Sequence, residues 1–131
     1  MMEEPIWLEA RLVLTMHEEQ IREHGGSYGV RDEGLMESAL ARPKQLFHYG
    51  EKVDMLALAA AYGHGVAKNH PFVDGNKRTA FQCMYVFLYI NGIEITASEI
   101  DVVVTMLGLA DGSISEMQLA AWLKANYEKI A

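Results

Sequence analysis

Pro71 is the residue that most constrains how this chain can fold. Before it runs the alanine-rich stretch "DMLALAAAYGHGVAKNH", and soon after it the apolar stretch "AFQCMYVFLYI". Both stretches are apolar on most sides of a helical wheel, which predicts two central, buried helices. A proline disfavours helical geometry in the residue before it, so the first helix must end at about Asn69. The stretch "HPFVDGNKR" then becomes a connecting loop plus the first turn of the second helix. A histidine, an aspartate, a glycine, an amide and two cations therefore lie beside the core, between His70 and Arg78.

The rest of the chain also reads as helix. Trp7, Ala10, Leu14, His17 and Ile21 recur at three- and four-residue steps, predicting an amphipathic helix that stops at Gly25-Gly26. Asp32 is a good N-cap for a short helix carrying Leu35, Met36, Ala39 and Leu40 before Pro43. "KQLFHYGEK" fits no helical period well, and Gly50 favours a turn or exposed flap there. Phe81, Met84, Tyr85 and Leu88 mark the second central helix, which ends at Asn91-Gly92. "IEIT" can form an isolated strand. Thr96 with Glu99, and Ser115 with Gln118, read as capping boxes for two further helices, the first closed by Asp111-Gly112 and the last carrying Leu119, Trp122 and Leu123. The expected architecture is all-α, about six helices with little or no sheet, in a single domain over 1–131.

Composition narrows the function classes. Hydrophobic residues make up 50% and charged residues 22% of 131 residues, as in an ordinary globular protein. The net charge of −7 disfavours broad electrostatic binding to nucleic acid or an anionic membrane, so any phosphate must be held locally. The single cysteine, Cys83, excludes a disulfide framework and reads as an inert buried thiol. The acidic start lacks the basic region of a signal peptide, and the apolar runs fall short of the roughly 20 residues of a membrane helix. The expected location is cytoplasmic.

In the loop, "DGNKR" opens a helix, whose first turn offers unpaired N–H groups and a positive dipole end. Gly75 permits close approach of a ligand, and Arg78 can add charge-assisted hydrogen bonds. Asp74 offers a hard oxygen for magnesium, and His70 can accept a proton from a hydroxyl. Turn chemistry explains most of these residues singly, and Phe72 reads as an anchor that pins the loop. As a set they are more than a turn requires. A Walker loop fails on its glycine spacing, a calcium loop fails at Arg78, and His64 and His70, six residues apart, point to different helix faces on a helix that Pro71 breaks. His17 reads as a hydrogen-bonded core histidine.

"HPFVDGNKR" closely resembles the signature of the Fic/Doc (Fido) family, and "LTMHEEQIREHGG" and "GVRDEGLMESALARP" resemble its short Doc, or death-on-curing, branch of toxin–antitoxin toxins. The resemblance implies a Fic-type helical bundle with the motif loop joining the two central helices. It implies ATP and magnesium as cofactors, with His70 as general base and Asp74 as the magnesium ligand. Gly75, Asn76, Lys77 and Arg78 would form the phosphate cradle. Leu46, Phe47, His48, Tyr49, Gly50 and Glu51 would form a flap that aligns the target segment by backbone pairing.

Two departures from the adenylylating branch bear on which phosphate moves. Lys77 stands where that branch has glycine, and Phe81 where it has a second arginine. Doc-like proteins share both departures and resemble kinases that pass the γ-phosphate of ATP to a threonine of elongation factor Tu. Gly75 follows the general motif, whereas the best-known Doc sequence has alanine there. "TMHEEQ" is the nearest match to the family's inhibitory motif and ends in the wrong residue, so restraint is expected from a separate antitoxin. The alternatives are AMP transfer to a protein hydroxyl and an inactive binding module.

Overall fold

The computed structural model describes residues 2–130, which form α1 (Ala10–His24), α2 (Glu33–Tyr49), α3 (Met55–Asn69), α4 (Asn76–Ile90), β1 (Ile93–Ile95), α5 (Glu99–Asp111), α6 (Glu116–Ala125) and β2 (Tyr127–Lys129). The fold is all-α apart from one two-stranded sheet. Short polar side chains set most helix starts. Asp32, Asp54, Ser98 and Ser115 each accept a hydrogen bond from the backbone N–H three residues on. Each such bond satisfies a donor that the first turn of a helix leaves free. Ser115 and Gln118 form the expected reciprocal box.

The central helix is α3. Leu56, Leu58, Ala59, Ala60, Tyr62, Val66 and Ala67 are all buried, and α4 adds Ala80, Cys83, Met84, Phe87 and Leu88 to the same core. Alanine lets neighbouring helices approach closely, and the larger side chains fill the space between them. Tyr62 stays satisfied because its hydroxyl accepts from Leu8 N–H at 3.1 Å, while burial pushes its pKa up to about 12. Burial likewise pushes the Cys83 thiol up to about 12, which leaves it the inert buried group the sequence suggests.

Several sequence expectations need correction. Trp7 lies outside α1 and packs against Phe47 and Phe87, while the buried face of α1 is Val13, Met16, His17 and Ile21. Helix α2 does not stop before Pro43 but continues to Tyr49. A proline inside a helix removes one hydrogen bond and crowds the preceding turn. Here Pro43 is buried on the packed face of α2, and that tertiary packing carries the helix through. "KQLFHY" is therefore helical, and the chain leaves the helix only at Gly50.

"IEIT" is not an isolated strand, since β1 pairs antiparallel with β2, Ile95 opposite Tyr127. Thr96 N–H extends that pairing to Asn126 C=O at 2.8 Å, so the cap of α5 falls two residues later, on Ser98. No helix among the described residues is long and apolar enough to cross a membrane.

Candidate active site

Pro71 ends α3 as expected, but not by a simple turn. His70 caps the helix in the left-handed conformation, φ 47° and ψ 56°, with an exposed side chain. Only His70 and Lys52 adopt positive φ among the described non-glycine residues. This region is sparsely populated by residues that carry a Cβ.

Three layers of contacts hold the loop that follows. Phe72 is 1% exposed and pairs with Val30 in an isolated antiparallel bridge. Val73 N–H donates to Gly29 C=O, and Arg31 N–H and Asp32 N–H both donate to Pro71 C=O, at 2.7 and 3.1 Å. On another side, the His17 ring stacks on Phe72 at 3.9 Å. His17 Nε2 meets Asp74 C=O at 2.8 Å, and the carbonyl accepts, which fixes that nitrogen as the protonated one. His17 is thus the hydrogen-bonded core histidine read from the sequence, and its partner is the motif loop.

The third contact is made by Asn76 itself. Asn76 Oδ1 accepts from Phe72 N–H and its Nδ2 donates to Phe72 C=O, both at 3.0 Å. The Asn76 side chain thus closes the loop on itself, and its backbone N–H stands free at the start of α4. An amide in a helix-opening motif can serve a ligand or the chain itself, and only the fold shows that Phe72 lies within its reach.

The remaining motif residues face outward. Asp74, Lys77 and Arg78 are exposed, and Gly75 is the N-cap of α4 with no side-chain cap. Thr79 N–H is the first to bond back along the helix, to Gly75 C=O at 3.0 Å. The N–H groups of Asn76, Lys77 and Arg78 thus stand outside the helical ladder at its positive end, an arrangement suited to a phosphate. Gly75 has φ 73°, and a Cβ there would lie 3.0 Å from Ile21 Cδ1, so glycine suits both backbone and space.

Asp74 Oδ1 accepts from Gly75 N–H at 2.8 Å and Oδ2 from Ser27 N–H at 3.3 Å. The Gly75 bond, then the Ser27 bond, and lastly the charges of Arg78 and His17 hold its carboxyl below the usual aspartate range. An ionised, exposed carboxylate with lone pairs to spare fits magnesium, which needs only one or two carboxylates beside phosphate oxygens and water. The described residues contain no group of three or more metal-ligating side chains.

Sequence reasoning assigned no role at this site to Gly26, Ser27, Gly29 or Arg31. A Cβ on Gly26 would sit 2.6 Å from Asp74 Oδ2, so Gly25 ends α1 and the second glycine of the pair makes room for the carboxylate. Arg31 donates from Nε to His70 C=O at 2.7 Å and from its terminal nitrogen to Asn69 C=O at 2.9 Å. The one available signal was the cluster of glycines and Arg-Asp in "GGSYGVRD", which is denser than a plain interhelical turn needs.

The flap residues stand apart. Leu46, Phe47, His48 and Tyr49 form the last turn of α2 with their N–H groups in the helix, so for pairing they offer only last-turn carbonyls, beside the non-helical backbone of Gly50 and Glu51. Their ring contacts run to Trp7 and to one another. Leu46, Tyr49 and Gly50 line a hollow of about 400 Å³ with Arg42 and Glu116. A larger cleft of about 590 Å³ opens from Lys77 and Arg78 across Phe81 and Tyr85 to Val103 and Leu107 of α5.

This helical fold, with its motif loop joining α3 to an uncapped α4, carries a family identity: residues 7–88 match the Fic/DOC family, and the chain belongs to it. Its relatives lie on the Doc side. It is 43% identical to Toxin Doc of Mycolicibacterium smegmatis over 74 residues, 56% of this chain and 57% of that protein. It is also 31% identical to the Protein kinase doc of Escherichia phage P1 over 115 residues, 88% of this chain and 90% of that one.

Proposed function

We propose that this chain is a single Fic/Doc domain acting as a toxin kinase, which transfers the γ-phosphate of ATP to a Ser/Thr hydroxyl of a translation factor, elongation factor Tu. The observation that carries the reading is the pairing of an exposed His70 at the end of α3 with the uncapped start of α4, bearing Lys77 and Arg78. His70 takes the proton of the target hydroxyl as its oxygen bonds to the γ-phosphorus, and the bond from that phosphorus to the ADP oxygen breaks. The free N–H groups of residues 76–78 and the Arg78 guanidinium hold the phosphate oxygens while this happens. Asp74 would hold magnesium, which when bound neutralises phosphate charge.

Lys77 and Phe81 favour γ-phosphate transfer over AMP transfer. Both line the cleft beside Arg78, and Phe81 offers an apolar ring where a second phosphate-binding cation would help place the α-phosphorus. AMP transfer is the second reading, since His70 and Asp74 would serve it equally. Gly50 and Glu51, with the open carbonyls of the last turn of α2, would align the target by backbone pairing.

The partner that restrains the toxin is a cognate antitoxin. On α5, Ile100, Val103, Val104 and Leu107 are exposed at helical spacing beside the larger cleft. An apolar stripe of this kind suits an amphipathic antitoxin segment that folds on binding.

The test incubates the chain with elongation factor Tu and ATP labelled at the γ- or the α-phosphate. γ-label on the factor is the expected result; α-label overturns the kinase reading in favour of AMP transfer, and no transfer of either leaves the binding-module alternative. His70→Ala should lower transfer by at least about a hundredfold.

A further inference from the structure

We propose that Arg31 is a positioning residue for His70, setting the backbone conformation from which the imidazole reaches the target hydroxyl. The proposal rests on the reading of His70 as general base, and adds to it the group that aims the base.

The two torsions of a residue are set by the peptide planes on either side of its Cα. For His70 these planes carry the carbonyls of Asn69 and His70. Arg31 holds both, with Nε at 2.7 Å from His70 O and a terminal nitrogen at 2.9 Å from Asn69 O. One rigid guanidinium fork thus fixes φ and ψ of His70 together. The next carbonyl, of Pro71, is held by the backbone N–H groups of Arg31 and Asp32. Three successive carbonyls at the negative end of α3 are therefore anchored by residues 31 and 32.

The hold matters because only one local bond keeps His70 where it is, a long one of 3.3 Å from its N–H to Val66 C=O, and it leaves ψ free. Its left-handed geometry, φ 47° and ψ 56°, is unusual for a residue with a Cβ. Pro71 also pushes the residue before it toward extended backbone. Without the Arg31 fork, His70 would relax in that direction and carry its side chain away from the cradle on α4. A base must lie within hydrogen-bond reach of its proton, so a shift of this kind costs rate without touching the nucleotide site. Arg31 is on the surface, and the fork reaches only backbone oxygens, so it serves no packed core.

Two variants of the full chain, Arg31→Ala and Arg31→Lys, test this by γ-phosphate transfer kinetics and backbone NMR of His70. Arg31→Ala should lower kcat about tenfold with KM for ATP unchanged, while Arg31→Lys, able to reach one carbonyl but not both, should lose about threefold. In a His70→Ala background, Arg31→Ala should cause no further loss, and the His70 backbone shifts should leave their left-handed values when Arg31 is replaced. A kcat within about twofold of the parent in both variants, a rise in KM instead, or an added loss in the His70→Ala background would overturn the proposal. If the parent chain transfers no phosphate, the kinase reading fails separately. The NMR arm then decides alone, with retention of the left-handed shifts counting against Arg31 and their loss in its favour. Should Arg31→Ala not fold, Arg31→Lys carries the same comparison.

Discussion

Replacing Asn76 with alanine separates a loop clamp from a phosphate ligand. The substitution removes two hydrogen bonds of 3.0 Å and leaves Phe72 N–H and C=O without partners, in a residue only 1% exposed. Each buried backbone group left unpaired costs about 1–3 kcal/mol. Asn76 is itself 9% exposed, so water can recover part of that loss. The expected destabilisation is about 3 kcal/mol, or roughly 10 °C in Tm for a chain of this length. Urea denaturation followed by circular dichroism gives the number.

Asn76→Asp sharpens the test. Its carboxylate keeps the acceptor for Phe72 N–H but turns a second oxygen toward Phe72 C=O. It should be at least as damaging at neutral pH and recover below about pH 4, where the protonated acid can donate again. The reasoning fails if Asn76→Ala unfolds within about 0.5 kcal/mol of the parent while its KM for ATP rises tenfold or more. That pattern would return the side chain to the phosphate cradle.

Two further outcomes are expected. Thr79 is fully buried and its hydroxyl has no hydrogen-bond partner, so Thr79→Val, which keeps the shape and removes the polar atom, should raise stability by about 1 kcal/mol in the same urea assay. Asp74 has a depressed pKa in the folded chain, so the carboxylate stabilises the fold above the usual aspartate range and that contribution is lost as pH falls through its folded value. Comparing Tm of the parent and Asp74→Asn should therefore show a gap at pH 7 that closes under strong acid, and a gap that widened on acidification would contradict the assignment.

Much of the fold was legible because helix ends are written locally. Asp32, Gly25, Asn91 and the Ser115–Gln118 box are short-range signals, and each stands where the sequence placed it. Pro43 misled for the opposite reason. Whether a helix survives an internal proline depends on what its face packs against, and that is set by distant residues. The pairing of β1 with β2 joins segments some thirty residues apart, and "YEK" carries no strand signal of its own. In the motif, His70, Asp74, Lys77 and Arg78 lie where a ligand could meet them. The bonds of Asn76 to Phe72 and of Arg31 to His70 were not legible, since a side chain's partners follow from the fold and not from its neighbours in sequence.

The bonds that fasten the motif loop to Gly29–Asp32, His17 and Asn76 also bear on how a ligand is met. A loop that must fold around its guest spends part of the contact free energy on lost backbone freedom, at about 1–2 kcal/mol per residue. Here the bonds that hold Pro71, Phe72, Val73 and Asp74 all run to other parts of the chain, so none of them needs a guest to form. A phosphate bound at the start of α4 would then lose little free energy to ordering this loop. Association with nucleotide should follow simple second-order kinetics, with no slow unimolecular step from closure of the loop.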